Sequence, residues 1–178
     1  QLIDKLNKVC DKYGFNYWAD HGTLLGAIRD QKIIAWDDDA DVAMTMEDAT
    51  KMYEMRDTIL KEFGIKISGG ENFKGYRPEI DGPPPGYFDK WGIYKIFFPS
   101  KYDTWIDVFV REKVGDRYEL IAIGKTEWPT SWFSATELET GYQMYTFGET
   151  QVRGINNPNA YLTRRYGKWQ FPVQYYGH

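Results

Sequence analysis

The chain has a single cysteine, Cys10, among its 178 residues. One thiol can form neither an internal disulfide nor a zinc site built from several cysteines. The sequence is therefore compatible with a reducing compartment.

Long apolar runs are also missing. No stretch approaches the roughly 18 consecutive apolar residues of a membrane span, and the opening residues Gln1, Leu2, Ile3 and Asp4 include neither a basic lead nor an apolar signal core. We expect no membrane span in this chain, a feature that still permits peripheral association. The lack of an initiator Met is compatible with an excised domain and leaves that question open. The expected location of the protein is the cytoplasm, including the inner membrane face, or the Golgi lumen if the protein is eukaryotic and its targeting segment is missing.

Positive charge is scarce. The 22 Lys and Arg residues are outnumbered by 26 Asp and Glu residues, which gives a net charge of -4. Proteins that bind nucleic-acid backbones need a basic surface, so we predict no nucleic-acid partner, and a phosphate ligand would need a metal ion. Aromatic residues reach 17%, more than a core of this size requires, and we expect some of them to line a ligand surface.

Apolar periodicity and turn residues predict one α+β (α/β-like) domain over residues 1–178. The predicted helices span 2–13, closed by Gly14; a short segment after the Gly22-Thr23 turn, to residue 29; 46–63, capped by Thr45 and Asp48 and ending at Gly64; and a last helix to Tyr166, with Asn157 as cap and Pro158 as first position. The predicted strands span 15–19, 39–45, 94–98, 104–110, 118–123 and 143–147, and residues 69–91 read as a long loop.

The stretch Trp36–Val42, WDDDADV, holds four carboxylates within five residues. In a strand over 39–45, alternation puts Asp39 and Asp41 on one face, with Cα atoms roughly 7 Å apart. Two like charges held this close favour a divalent cation between them, and Mg²⁺ or Mn²⁺ prefers such oxygen ligands. Asp38 points to the opposite face, and we expect it to be dispensable. A solvated acidic turn is the alternative interpretation.

A third acid, Asp107, lies inside the strand pattern 104–110 and could join the same pair of metal ions. Upstream, the Gly22-Thr23 turn opens a short helix, and such a turn offers backbone N–H groups to a phosphate. A Gly-Thr pair alone is weak evidence. Its place ahead of an alternating Asp pair gives it more weight.

Residues 21–44, HGTLLGAIRDQKIIAWDDDADVAM, resemble the signature of the LicD and fukutin family of phosphotransferases. The similarity continues in WIDVF at 105–109 and YLTRRYGKWQFP at 161–172. The resemblance implies a nucleotidyltransferase fold, with a mixed β-sheet flanked by helices. Some members carry a cysteine cluster that binds zinc, which this chain lacks.

Carried over residue by residue, the resemblance implies catalytic and metal-binding roles for Asp39, Asp41 and Asp107, with two ions of Mg²⁺ or Mn²⁺ and Asp107 as candidate base. It adds Asp37, whose role stays open, to the substrate-binding candidates, which are Gly22, Thr23, Arg29, Asp37 and His21. Arg29 would either contact a pyrophosphate or cap the short helix and face solvent. His21 would either orient the turn or have a purely structural role.

The activity that the resemblance implies is transfer of a phospho-alcohol from a CDP-linked donor to a glycan hydroxyl, with release of CMP. CDP-choline is the favoured donor, because six aromatic residues in loop or strand-end contexts could form a cage for its quaternary ammonium. The alternatives are a ribitol- or glycerol-phosphate transferase, a nucleotidyltransferase that uses an NTP, and a non-catalytic nucleotide- or glycan-binding domain. The six aromatic residues are Tyr87, Phe88, Trp91, Trp128, Trp132 and Phe133.

Overall fold

The computed structural model describes residues 1–31, 40–68 and 92–171, with backbone only at 101–103. The helices in this part of the chain are α1 Leu2–Tyr13, α2 His21–Arg29, α3 Met46–Glu54, α4 Arg56–Phe63, α5 Gly124–Glu127, α6 Ala135–Glu139 and α7 Asn159–Tyr166. The strands are β1 Trp18–Ala19, β2 Ala40–Thr45, β3 Lys66–Ser68, β4 Ile93–Phe98, β5 Lys101–Val114, β6 Arg117–Leu120, β7 Trp132–Ser134, β8 Tyr142–Phe147 and β9 Thr150–Ile155. The predicted loop 69–91 and the predicted strand start at Asp39 lie outside the described residues.

The main sheet is mixed. Its strands follow the order β1-β2-β5-β4-β3, and β6 pairs with β5 and β7. The pairing of β2 with β5 is parallel, whereas the other described pairings are antiparallel. β8 and β9 form a separate antiparallel hairpin. With helices packed against these strands, the predicted α+β fold with a mixed sheet flanked by helices is confirmed.

The first helix agrees with its prediction in both bounds. Leu6 and Val9 are fully buried on its apolar face, and Gly14 ends it in the left-handed conformation, with φ 74°. The Gly14 N–H donates to the Cys10 carbonyl at 2.8 Å. Glycine adopts this backbone conformation without the steric cost of a Cβ atom.

The predicted helix 46–63 is wrong as a single element. It is divided between α3 and α4 at Met55, whose φ of -92° and ψ of 9° leave the helical range. The predicted cap is half formed, because the Thr45 hydroxyl accepts from the Asp48 N–H at 3.2 Å. The Asp48 carboxylate instead accepts from the Asn16 N–H at 3.0 Å, which ties α3 to the segment before β1.

The other differences concern element ends and short strands. The cap predicted at Asn157 is wrong by one residue, since α7 begins at Asn159 and Pro158 stands at the cap position with no side-chain cap hydrogen bond. The predicted strand 15–19 shrinks to the two residues of β1, and the predicted strand 118–123 ends at Leu120. β3, β7 and β9 were not predicted; the first two have only three residues each. Among the described residues, no helix is both long and apolar enough to span a bilayer.

Candidate active site

Two carboxylates stand side by side on the only described parallel strand pair. Asp41 on β2 is directly opposite Asp107 on β5. Opposed residues of parallel strands share a face of the sheet, and neighbouring strands lie about 4.8 Å apart. Asp41 is half-buried, and Asp107 is only 8% exposed. The chain thus brings together two acids that are 66 positions apart in sequence.

The next strand adds a cation to this row. Lys95 on β4 is opposite Asp107, and its Nζ lies 2.8 Å from Asp107 Oδ1. The same Nζ lies 4.2 Å from the centroid of the Trp105 ring, a geometry in which the aromatic face stabilises the ammonium group. Three neighbouring strands therefore present Asp41, Asp107 and Lys95 in a row on one face.

Burial raises the pKa of Asp107 above its usual value, and the hydrogen bond and charge of Lys95 offset this only in part. A carboxylate removed from water binds protons and metal ions more readily than a solvated one. The position of Asp107 suits a metal ligand or a general base.

The start of α2 fixes the backbone of Asp41. Gly22 and Thr23 lie in the first turn of this helix, and the Thr23 hydroxyl accepts a hydrogen bond from the Asp41 N–H at 2.7 Å. The Asp20 N–H donates to the Asp41 carbonyl at 3.0 Å. The Gly-Thr turn predicted from sequence thus contacts the predicted metal-binding strand directly, and the Thr23 hydroxyl keeps its own proton to donate.

A buried ionic network holds this end of α2 in place. Asp20 and Arg111 have side chains with no exposed surface. The Asp20 carboxylate accepts from Arg111 Nη2 at 2.6 Å, from Arg111 Nε at 3.1 Å, from the His21 N–H at 2.8 Å and from the Tyr161 hydroxyl at 2.5 Å. Burial alone would raise the pKa of Asp20, but the guanidinium and these hydrogen bonds lower it to about 2. The network joins β5 and α7 to α2.

His21 belongs to this network. The residue is only 6% exposed, and its Nε2 lies 2.6 Å from the Ser131 hydroxyl. The centroids of the His21 and Phe109 rings are 4.4 Å apart, in an edge-to-face arrangement. Burial lowers the pKa of His21 to about 4, against the raising effect of Asp20. The imidazole is therefore neutral at physiological pH, and the described contacts connect it to the core.

Arg29 ends α2, and its side chain is 10% exposed. Its Nη2 and Nε donate to the Asp30 carboxylate at 2.9 and 3.0 Å. The structure gives the guanidinium a local acidic partner, so a pyrophosphate contact would have to compete with Asp30.

The remaining predicted acids, Asp37, Asp38 and Asp39, lie outside the described residues. Among the residues that the structure does describe, no group of three or more His, Cys, Asp or Glu side chains converges as a metal site. The described pair Asp41 and Asp107 fits a divalent cation by the chemistry of its donors, which are carboxylate oxygens on one face. Asp39 remains the predicted third ligand.

Three of the six candidate cage aromatics are described, and they do not form a cage. Phe133 is fully buried and stacks on Tyr161 with centroids 3.9 Å apart. Arg117 and Arg164 already lie 3.8 and 3.4 Å from the Trp132 ring centroid. Trp128 packs on the core beside His21. Tyr87, Phe88 and Trp91 lie outside the described residues.

Sequence reasoning missed Lys95, Asp20 and Arg111. A lysine inside the apolar strand sequence IYKIFF was a signal that a buried anion lies nearby. Asp20 directly precedes the Gly-Thr turn, where an N-cap is expected. Arg111 gave no such signal, because its partner is 91 positions away.

Comparison with known proteins identifies the family. The profile of the LicD/FKTN/FKRP family, nucleotidyltransferase domain, matches residues 14–135, more than half of the chain. An uncharacterized protein of Rickettsia typhi is 27% identical over 169 residues, which cover 95% of this chain and 45% of that protein. A second uncharacterized protein, from Rickettsia prowazekii, is 28% identical and matches over 54% of its length. The chain therefore spans about half the length of these two relatives.

Relatives with a named activity match over shorter segments. The ribitol 5-phosphate transferase FKRP of Homo sapiens is 28% identical over 103 residues, 56% of this chain and 21% of that protein. The lipopolysaccharide cholinephosphotransferase LicD of Haemophilus influenzae is 35% identical over 54 residues, 30% of this chain and 20% of that protein. Among solved structures, ANT(2")-Ia in complex with adenylyl-2"-tobramycin superposes with a TM-score of 0.46 at 14% identity, covering 87% of this chain and 67% of that one.

Proposed function

Since this chain belongs to the LicD/FKTN/FKRP family, we propose that it is the catalytic domain of a metal-dependent phosphotransferase. It moves a phospho-alcohol from a CDP-linked donor to a hydroxyl group of a glycan and releases CMP. The observation that carries the proposal is the placement of Asp41 opposite Asp107 on neighbouring parallel strands, facing the same side.

Asp41 and Asp107, with Asp39 as third ligand, are the residues that would hold Mg²⁺ or Mn²⁺, as two ions. A divalent ion held there would supply positive charge to the pyrophosphate of the donor and to the leaving group. The hydrogen bonds of the Asp41 backbone with Thr23 and Asp20 fix the backbone position from which its carboxylate extends. Fixed positions of this kind supply much of the rate of phosphoryl transfer.

In the transfer step the acceptor oxygen forms a bond to the β-phosphorus of the donor. The bond from that phosphorus to the bridging oxygen breaks, and CMP departs with the electron pair. The proton of the acceptor hydroxyl passes to a carboxylate, for which Asp107 is the candidate.

The donor alcohol has two candidates. Choline is favoured by the sequence interpretation and by the relative in Haemophilus influenzae. A polyol such as ribitol or glycerol is the second candidate, because it needs no aromatic cage. Of the three described aromatics of the expected cage, Phe133 is buried, Trp132 is stacked by arginine side chains and Trp128 packs against the core. The longer match to the ribitol 5-phosphate transferase adds to this second candidate.

The experiment is incubation of the protein with CDP-choline, CDP-ribitol or CDP-glycerol and Mg²⁺ or Mn²⁺, with CMP and pyrophosphate measured separately. CMP release that requires the metal supports the proposal, and the donor that is hydrolysed fastest names the alcohol. Pyrophosphate release from CTP or another NTP would instead show a nucleotidyltransferase. No turnover of any donor, combined with donor binding that is independent of metal, would show a non-catalytic binding domain.

A further inference from the structure

Lys95 is the cation that the described part of the chain pairs with Asp107, one of the two described carboxylates of the site. Its ammonium group pairs with Asp107 at 2.8 Å, and its side chain is 24% exposed. The Trp105 ring beneath it restricts the positions of the ammonium group. Lys95 lies inside an apolar strand, where a lysine is rarely placed without an ionic partner.

Lys95 and a divalent cation would compete for the negative charge of Asp107, because both are attracted to the same carboxylate group. When a divalent cation binds to Asp41 and Asp107, the cation takes over the negative charge that Lys95 neutralises in this structure. A divalent cation on Asp107 would therefore weaken its ion pair with Lys95, and the half-buried ammonium group could then bind a second anion. The anion that a phosphotransfer reaction brings to this face is the pyrophosphate of the donor, and lysine binds phosphate as a flexible point charge.

We infer that Lys95 exchanges partners during the reaction. It neutralises Asp107 before a metal binds, and it contacts the donor phosphate once the metal is bound. The identity of the phosphate in this inference rests on the proposed function. The competition between Lys95 and the metal for Asp107 is independent of that function. Lys95 would be a catalytic residue that touches the substrate, beside the carboxylates.

The test begins with metal binding, which needs no donor. Mn²⁺ titration of the whole chain, followed by electron paramagnetic resonance, is compared for the wild type, Lys95→Gln and Lys95→Arg. Because glutamine removes the competitor for Asp107, the Mn²⁺ dissociation constant of Lys95→Gln should fall by about tenfold, which corresponds to about 1.4 kcal/mol. Lys95→Arg keeps the charge and should stay close to the wild type. Lys51→Gln is the matched control, because Lys51 pairs with Glu47 on the exposed surface of α3, and it should leave Mn²⁺ affinity unchanged.

The second readout is transfer at saturating Mn²⁺ with the donor that the wild type uses. Lys95→Gln should lower kcat by about 10²-fold, the loss typical when one preorganised donor to a developing anion is removed, and should raise the KM for the donor. Tighter Mn²⁺ binding together with slower transfer supports the inference, and an arginine variant that recovers part of the rate adds to it.

Unchanged Mn²⁺ affinity in Lys95→Gln, in a protein shown to be folded by circular dichroism, would overturn the competition. Tighter Mn²⁺ binding with wild-type kcat and KM would overturn the phosphate contact. A wild type that binds Mn²⁺ but turns over no donor would instead contradict the proposed function, so the two failures are distinguishable.

Discussion

The buried pair of Asp20 and Arg111 should be the most sensitive point of the fold. Both side chains have no exposed surface, and the Asp20 carboxylate accepts hydrogen bonds from Arg111, the His21 N–H and Tyr161. Asp20→Asn removes the negative charge and leaves the Arg111 guanidinium buried without its counter-ion. Breaking a buried ion pair on one side costs about 3–5 kcal/mol. For a chain of this length, that loss lowers Tm by about 6–20 °C.

Urea unfolding followed by tryptophan fluorescence measures this loss directly. Glu47→Gln, which breaks the exposed pair with Lys51, is the matched control and should leave the free energy of unfolding unchanged. Arg111→Met should cost as much as Asp20→Asn, while the double variant should cost less than the sum, because it leaves no uncompensated charge. A loss below about 1 kcal/mol in Asp20→Asn, the value of an exposed pair, would refute the reasoning.

Three further predictions concern neighbouring contacts. The folded pKa of His21 is about 4 and lies below its ordinary value of 6.5, so the unfolded chain takes up the proton first. The free energy of unfolding should therefore fall by about 2 kcal/mol between pH 7 and pH 5 on account of this residue; urea titrations at both pH values check this, and an equal fall in His21→Gln would contradict it. Thr23→Val removes the acceptor for the Asp41 N–H, and a hydrogen bond worth about 1 kcal/mol predicts about fivefold faster hydrogen exchange at that amide, with Thr23→Ser close to the wild type. Gly154→Ala would place a Cβ atom 2.8 Å from the Tyr145 ring, so it should destabilise the protein by about 1–3 kcal/mol; a thermal melt equal to that of the wild type would show that the ring moves aside freely.

The sequence predicts those parts of the fold that depend on local periodicity. The helix closed by Gly14 and the strand that carries Asp41 follow from spacing alone. The division of the predicted helix 46–63 at Met55 does not, because the apolar spacing continues through the break and the carboxylate of the expected cap is drawn away to Asn16.

The residues of the candidate site likewise include some that the sequence predicts and some that depend on tertiary contacts. The acids Asp41 and Asp107 could be chosen from their strand patterns, and the parallel register that brings them together comes from the fold. Lys95 was overlooked because its partner belongs to a different strand. The buried Asp20 and Arg111 pair depends on a tertiary contact across 91 positions, which one sequence cannot reveal.

In the proposed function, Asp41 and Asp107 together bind the divalent ion on which transfer depends. Mn²⁺ titration of Asp107→Asn and Asp41→Asn measures that binding without any donor, with Glu54→Gln on the exposed surface of α3 as control. The dissociation constant should rise by at least about tenfold in each Asp variant, the lower limit for the loss of even an outer-shell partner, and stay unchanged in the control. Mn²⁺ affinity within twofold of the wild type in Asp107→Asn, with the fold intact, would contradict the claim.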